Sequence, residues 1–247
     1  MLAKIRAQLL ELDTSVRTIG RFEILSRLGA GGMGTVWAAR DPELDRKVAI
    51  KFLHDAVDPH ERLRREAQAL ARLRHPNIVG VHEIGVDAPT GRKFVVMELV
   101  EGGDLAAWLA TPRPWPSIVE VFAAASRGLA AAHAAGLVHC DFKAHNVLVS
   151  GGAGDTVAPG SVRVADFGLA RLGVGVAEGP SASGPVGTPG YLAPELVAGG
   201  APTPASDQYA FCVALRAALF DRIDRFDGID RRDGAPPRRL RTILERG

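Results

Sequence analysis

Residues 138–149 have the sequence VHCDFKAHNVLV, and residues 165–168 have the sequence ADFG. The first stretch brings an acid, a cation and an amide close together, at Asp141, Lys143 and Asn146. The second stretch adds another acid, Asp166. This combination is typical of phosphoryl-transfer sites, where the protein mainly supplies position and charge neutralisation. Taken alone, the first stretch also fits an ordinary polar loop.

A glycine-rich segment, GAGGMG at residues 29–34, lies upstream. Because Gly29, Gly31 and Gly34 have no side chains, their backbone N–H groups can approach phosphate oxygens closely. A dinucleotide-binding fingerprint needs a helix directly after the glycines, whereas the TVWA that follows at 35–38 is β-prone. No Gly-Lys-Ser/Thr closes the segment, which argues against a Walker A loop. The pattern therefore predicts a phosphate-contacting loop between two strands.

A short apolar segment, VAIK at residues 48–51, ends in Lys51. It predicts a strand that places one ammonium group beneath the glycine loop. Glycines followed by a lysine on a later strand do not have the order of a Rossmann unit. The alternative for Lys51 is a surface lysine at a strand end.

Together and in this order, these elements resemble the eukaryotic-like (Hanks-type) serine/threonine protein kinases, in particular their bacterial members, over roughly residues 19–219. The resemblance implies an α+β, bilobal protein-kinase-like fold, with a small antiparallel β-sheet lobe plus one helix and a larger, mainly helical lobe. It implies an N-terminal extension at 1–18, the small lobe at 19–100 and the large lobe at 101–247. GTPGYLAPE at 187–195 resembles the end of an activation segment.

The resemblance also implies roles for individual residues. Asp141 would accept or orient the proton of an incoming Ser or Thr hydroxyl, and Lys143 would lie against the γ-phosphate. Asn146 and Asp166 would hold Mg²⁺, with Mn²⁺ as the alternative ion. Lys51 would grip the α- and β-phosphates of ATP. The ATP-binding positions are Gly29, Gly31, Gly34, Val36, Ala49, Lys51, Glu66, Met97, Glu98, Val100 and Leu148.

Some of these positions have narrower expectations. Val36, Ala49 and Leu148 would sandwich the adenine ring, with Met97 as gatekeeper and residues 98–100 as hinge. Glu66, in a helical pattern around residues 61–74, would pair with Lys51; the alternative is a surface pair with Arg62. His139 is expected to pack beneath Phe167, and Thr188 to contact the catalytic aspartate and lysine.

Composition limits the setting of the chain. It has 247 residues, 47% of them hydrophobic, and a net charge of +2. Acidic and basic residues are interspersed, so we expect no nucleic-acid partner. Two cysteines in unrelated segments, and no signal peptide or membrane span in the sequence, favour a cytoplasmic protein. The resemblance implies that its partners are ATP and a protein substrate. The oligomeric state is not predicted.

Two departures from the family pattern bear on activity. Cys140 precedes the catalytic aspartate where most members have arginine, so control by activation-loop phosphorylation is not expected. The large lobe is expected to be incomplete after about residue 220, because 221–235 is dense in charge. Residues 238–247 then carry an apolar stripe of Leu240, Ile243 and Leu244, and Glu195 is left without an evident arginine partner.

Three functional hypotheses follow from the sequence. The first is an active serine/threonine protein kinase with a signalling role that transfers the γ-phosphate of ATP and is able to phosphorylate itself. The second is a nucleotide-binding pseudokinase, scaffold or truncated inactive remnant. The third is a kinase of small molecules on the same fold, against which the segment at 187–195 argues because it shapes a platform for a peptide.

Overall fold

A computed structural model describes residues 18–31, 34–52, 73–151, 158, 160–167, 187–221 and 236–244. The first lobe contains a six-stranded sheet with the strand order β1-β2-β3-β4-β6-β5, in which all neighbouring strands are antiparallel. Its strands are β1 (Thr18–Ile19), β2 (Phe22–Gly31), β3 (Gly34–Asp41), β4 (Arg46–Phe52), β5 (Val81–Val86) and β6 (Lys93–Glu98).

The sheet forms because its strands alternate or run apolar over the lengths expected for buried strands. One side is closed by a cluster that includes Phe22, Val48, Ile50 and Phe94, all almost fully buried. The rings of Phe22 and Phe94 meet edge to face, with centroids 6.3 Å apart. On β5, a Cβ at Gly85 would lie 2.3 Å from the Phe94 ring, so the aromatic packing requires glycine there.

The second lobe is mainly helical and contains a small three-stranded sheet. Its helices are α1 (Leu105–Trp108), α2 (Trp115–Ala134), α3 (Pro194–Val197), α4 (Pro204–Arg216) and α5 (Arg238–Leu244), with a 3₁₀ turn at Ala144–Asn146 and a π turn at Ala217–Asp221. The sheet has the order β7 (Gly102–Asp104), β8 (Val147–Ser150) and β9 (Val162–Val164), and both pairings are antiparallel.

The core of the second lobe lies between α2, α4 and this small sheet. Helix α2 buries residues at helical spacing, namely Ile118, Val121, Phe122, Ala125, Leu129 and Ala132. Helix α4 begins with a reciprocal capping box between Thr203 and Ser206. In α5, Leu240 packs against this core but Ile243 is 64% exposed. Of the apolar stripe noted in the sequence, Leu240 therefore reaches the core and Ile243 does not.

A segment at residues 77–80 links the two lobes. Ile78 forms a parallel bridge with Val164 of β9, and the N–H of Val79 donates to the carbonyl of Val164 at 2.9 Å. On the other side, the N–H of Glu98 donates to the carbonyl of Gly80 at 2.8 Å. The end of β6 is thus tied through this segment to the strand that precedes Asp166.

The expected fold class is confirmed, with a small antiparallel sheet lobe and a larger, mainly helical lobe. The glycine segment joins two antiparallel strands as predicted. Residues 61–72 of the helix expected around 61–74 lie outside the described residues, and residues 73 and 74 are not helical. The incompleteness of the large lobe after residue 220 stays a prediction. Within the part of the chain that the structure describes, no helix combines the length and apolar character needed to cross a bilayer.

Candidate active site

Lys51 reaches the cleft from β4. It lies opposite Val36 on β3 and Val95 on β6, and its side chain is 3% exposed. Its Nζ is 2.7 Å from Oδ2 of Asp166, so the buried ammonium has a carboxylate partner across the cleft. Glu66, the expected partner of Lys51, lies outside the described residues.

Asp166 follows β9 in a strained conformation. Its φ angle is 64°, in the left-handed region that a residue with a Cβ adopts at a cost of about 1–3 kcal/mol. The turn is held because the flanking Ala165 donates its N–H to the carbonyl of Asn146 at 2.8 Å. Such a strained residue in a cleft is typical of a functional site.

Asp141, Lys143 and Thr188 form a closed set of hydrogen bonds. Nζ of Lys143 lies 2.8 Å from Oδ2 of Asp141 and donates to Oγ1 of Thr188 at 2.6 Å. The Thr188 hydroxyl in turn donates to Oδ1 of Asp141 at 2.7 Å. The contact expected between Thr188 and the Asp141–Lys143 pair is therefore present. The Asp141 side chain is 1% exposed, and Lys143 neutralises its charge.

Asn146 is oriented by its amide nitrogen, which donates to the carbonyl of Asp141 at 2.7 Å and to its Oδ2 at 3.3 Å. No described residue donates to Oδ1 of Asn146, so this oxygen is available as a ligand. Because Val147 pairs with Val164, Asn146 and Asp166 lie at the same end of the β8–β9 hairpin. One amide oxygen and one carboxylate fit a hard divalent cation that keeps several of its waters.

His139 lies between the turn that carries Asp141 and the residue before Asp166, and its ring is neutral. Its Nδ1 accepts the N–H of Asp141 at 3.2 Å, so Nε2 carries the proton and donates to the carbonyl of Ala165 at 2.9 Å. Burial lowers the pKa of His139, against the opposing effect of Asp207. Its ring packs against Phe167 with centroids 4.7 Å apart, as expected.

Asp207, at the start of α4, has a role that the sequence analysis missed. Its Oδ2 accepts the N–H of His139 at 2.7 Å, and its Oδ1 accepts the N–H of Cys140 at 2.9 Å. His133 Nε2 lies 2.8 Å from the same carboxylate. Cys140 has a φ of 70°, so Asp207 holds a strained residue next to Asp141. The only sequence signal was an acid in the first turn of a predicted buried helix.

The apolar residues among the remaining expected ATP positions belong to one hydrophobic cluster where the two lobes meet. Ala49 and Met97 are neighbours across β4 and β6, and together with Val79, Val95 and Ala165 they form a buried cluster. Val36, Val100 and Leu148 pack against it as partly buried residues. In the glycine loop, Gly29 lies opposite Val36 and Gly31 opposite Gly34. This arrangement can hold a flat apolar ring beneath the loop.

A family model described as the protein kinase domain matches residues 22–230. The chain belongs to the protein kinase family. Its curated relatives include the serine/threonine-protein kinase PknL of Mycobacterium tuberculosis, 41% identical over 206 residues, which cover 81% of this chain and 49% of PknL. They also include PrkC of Bacillus subtilis, 37% identical, matched over 84% of this chain and 31% of PrkC. The chain thus spans half or less of the length of these relatives.

Solved structures agree with this assignment to the protein kinases. A crystal structure of the Mycobacterium tuberculosis PknI kinase domain is similar with a TM-score of 0.64 and 29% identity, over 83% of this chain and 76% of that one. Another curated relative is the DNA damage-responsive kinase RqkA of Deinococcus radiodurans, 38% identical, matched over 79% of this chain and 29% of RqkA. The family uses ATP and a divalent metal ion, which fits the cleft described above.

Two positions distinguish this chain from the usual pattern of its family. The thiol of Cys140 is buried in place of the usual arginine side chain. Glu195, at the start of α3, is exposed, and no ion pair engages its carboxylate within the described residues. At the first position a thiol stands where most members of the family have a cation. In α3, the buried residue is Leu196.

Proposed function

We propose that this chain is an ATP-dependent protein serine/threonine kinase. The observation that carries the proposal is the buried Asp141 carboxylate, paired with Lys143 at 2.8 Å and already accepting a threonine hydroxyl at 2.7 Å. A carboxylate in this state can accept the proton of an incoming Ser or Thr hydroxyl. The ammonium group of the neighbouring lysine stabilises the negative charge of the phosphoryl group during transfer.

The proposed reaction breaks the bond between the γ-phosphorus and its bridging oxygen and forms a bond to the substrate hydroxyl oxygen. Asp141 takes the hydroxyl proton, and ADP leaves. Lys51 binds the α- and β-phosphates, the glycine loop covers them, and the apolar space around Ala49 holds adenine. Lys143 stabilises the charge on the transferred group. These roles are supported by the positions of the side chains on the two walls of one cleft.

We propose Mg²⁺ as the metal, held by Asn146 and Asp166, because these oxygen ligands suit a small, hard cation better than a softer one. The ion, when bound, neutralises phosphate charge. Asn146 is preset for this by its hydrogen bonds to Asp141. Asp166, whose carboxylate also faces Lys51, brings the metal site and the phosphate-binding lysine to the same point.

We also propose a signalling role in the cytoplasm, with one or more proteins as substrates. The setting is supported by the low cysteine content, two in 247 residues, which offers no disulfide framework. The proposal of a protein acceptor is supported by the segment that follows Gly187. There the N–H of Tyr191 donates to the carbonyl of Thr188 at 3.0 Å, which places a turn directly beside Asp141.

The test is intact-mass spectrometry of the purified chain before and after incubation with Mg²⁺ and ATP, with dephosphorylated casein as an added acceptor. Each phosphate adds about 80 Da, and we expect added mass on the chain or on casein. Asp141→Ala and Lys51→Met should abolish it. Lys47→Met, on the same strand but with a 63% exposed side chain, is the matched control and should keep activity.

Three outcomes separate the functional hypotheses. Phosphate on the protein acceptors in the wild type, but not in Asp141→Ala, supports the kinase. Nucleotide binding without transfer to any acceptor would favour the pseudokinase or scaffold. Transfer to aminoglycosides or choline but not to protein would favour a small-molecule kinase.

A further inference from the structure

An ion pair behind the cleft joins the two lobes. Glu98, the last residue of β6, has its Oε1 3.2 Å from Nε of Arg163 on β9. Oε2 of the same carboxylate accepts the N–H of Gly80 at 3.4 Å. Arg163 is fixed in turn, because its Nη1 donates to the carbonyl of Gly160 at 2.9 Å. Both ends of the pair are therefore held by the backbone.

Each member of the pair lies next to residues proposed to contact the nucleotide. Glu98 follows Met97 and lies opposite Val48 on β4. Arg163 lies opposite Leu148 on β8, so both side chains project from the same face of the small sheet. Three residues later the chain reaches Asp166. The ion pair therefore connects Glu98, where β6 meets the hinge, to β9, the strand that precedes the proposed metal ligand Asp166.

The pair differs from ordinary surface ion pairs because it joins the two lobes. Many exposed pairs contribute nothing measurable to stability, because two long side chains lose conformational freedom and water screens the charges. Lys47 and Glu101 form such a pair near the same hinge, with side chains 63% and 77% exposed. Arg163 and Glu98 are 24% and 36% exposed, and they belong to different lobes.

We propose that Arg163 is a positioning residue for nucleotide binding, acting through Glu98 as a strap between the lobes. It keeps the hinge at a fixed distance from the β8–β9 hairpin, so that the adenine space and the metal ligands fit one nucleotide. The inference rests on the proposed function, because it concerns ATP as the ligand. It adds a residue that does not itself touch the nucleotide.

The first measurement is the affinity of the whole chain for ADP with Mg²⁺ by calorimetry. Arg163→Gln should weaken binding about 2- to 5-fold, the range expected for loss of a partly exposed ion pair. The double variant Arg163→Gln/Glu98→Gln should be no weaker than the weaker single variant. The reversed pair, Arg163→Glu/Glu98→Arg, should recover most of the affinity. Lys47→Gln removes the exposed ion pair with Glu101 and should leave the affinity for ADP unchanged.

The second measurement is hydrogen exchange of the Glu98 amide in the nucleotide-free chain, which reports on the strap without requiring binding. Arg163→Gln should speed exchange of this amide by about 2- to 5-fold and leave α2 amides unchanged. In the turnover assay, the KM for ATP should rise while kcat stays constant.

The outcomes distinguish the two proposals. Wild-type affinity together with wild-type exchange in Arg163→Gln would overturn the strap, as would additive effects of the two single variants. Faster exchange in Arg163→Gln, in a chain whose wild type binds no nucleotide, would support the strap between the lobes and overturn the proposed function.

Discussion

Replacing Asp207 with alanine tests how the turn that carries Asp141 is held in place. The carboxylate is 2% exposed and accepts the backbone N–H groups of His139 and Cys140 at 2.7 and 2.9 Å. Alanine leaves both donors buried without this acceptor. The third donor, His133, is 20% exposed and can turn to water.

The magnitude follows from the two stranded donors. Each buried N–H that loses its acceptor costs about 1–3 kcal/mol, so the free energy of unfolding should fall by about 4 kcal/mol, within a range of roughly 2–6 kcal/mol. Cys140 is also freed from its φ of 70°, which lets the turn relax and moves Asp141. Asp207→Asn keeps one acceptor oxygen, and we expect about half of the alanine effect.

The assay is urea unfolding followed by circular dichroism, combined with phosphotransfer per folded molecule. The matched control is Leu215→Ala on the same helix, a residue that is 8% exposed. It should cost a similar amount, about 2–5 kcal/mol, without touching the turn. We expect Asp207→Ala to lose activity even where it is folded, and Leu215→Ala to keep it. The reasoning is refuted if the free energy of unfolding of Asp207→Ala lies within about 1 kcal/mol of the wild-type value.

Two further predictions concern the core below the site. Burial lowers the pKa of His139 from its usual 6.5, so on acidification the unfolded chain takes up a proton that the folded chain does not. The contribution of His139 to the free energy of unfolding should therefore be constant above about pH 7 and fall as the pH drops below the unfolded pKa, while ¹⁵N spectra show a neutral ring protonated at Nε2. Gly128→Ala places a Cβ 2.4 Å from the Asn77 carbonyl. The gain of about 1 kcal/mol in helix propensity is outweighed by this backbone clash, so thermal unfolding should show a lower Tm.

Each of these predictions has a control and a contradicting result. A charged His139 ring at neutral pH, or stability that rises on acidification through the His139 range, would contradict the first; His82, whose pKa burial also lowers, adds in the same direction. For the second, Ser126→Ala lies on the same helix and removes a hydroxyl without a clash. A Gly128→Ala protein as stable as Ser126→Ala would mean that the helix can move away from Asn77.

Local sequence predicted the elements that carry the site. The glycines at 29–34, the apolar strand ending in Lys51 and the β-prone residues between them specify a hairpin and a third strand, because strand periodicity and turn residues act over a few positions. The positions of Asp141 and Asn146 in one short segment could likewise be read from the sequence. Family resemblance added the expected neighbours of these residues.

The sequence by itself therefore predicted the residues that we propose carry the chemistry, and it determined the order of the elements that present them. Only the tertiary structure decided the long-range partners that neither local pattern nor resemblance predicted: Asp207 with the backbone 67 and 68 positions away, and Arg163 with Glu98. It also decided that Leu240 packs while Ile243 stays exposed. The reason is physical: a buried donor takes whichever acceptor the packing brings within about 3 Å, and no local pattern encodes that choice.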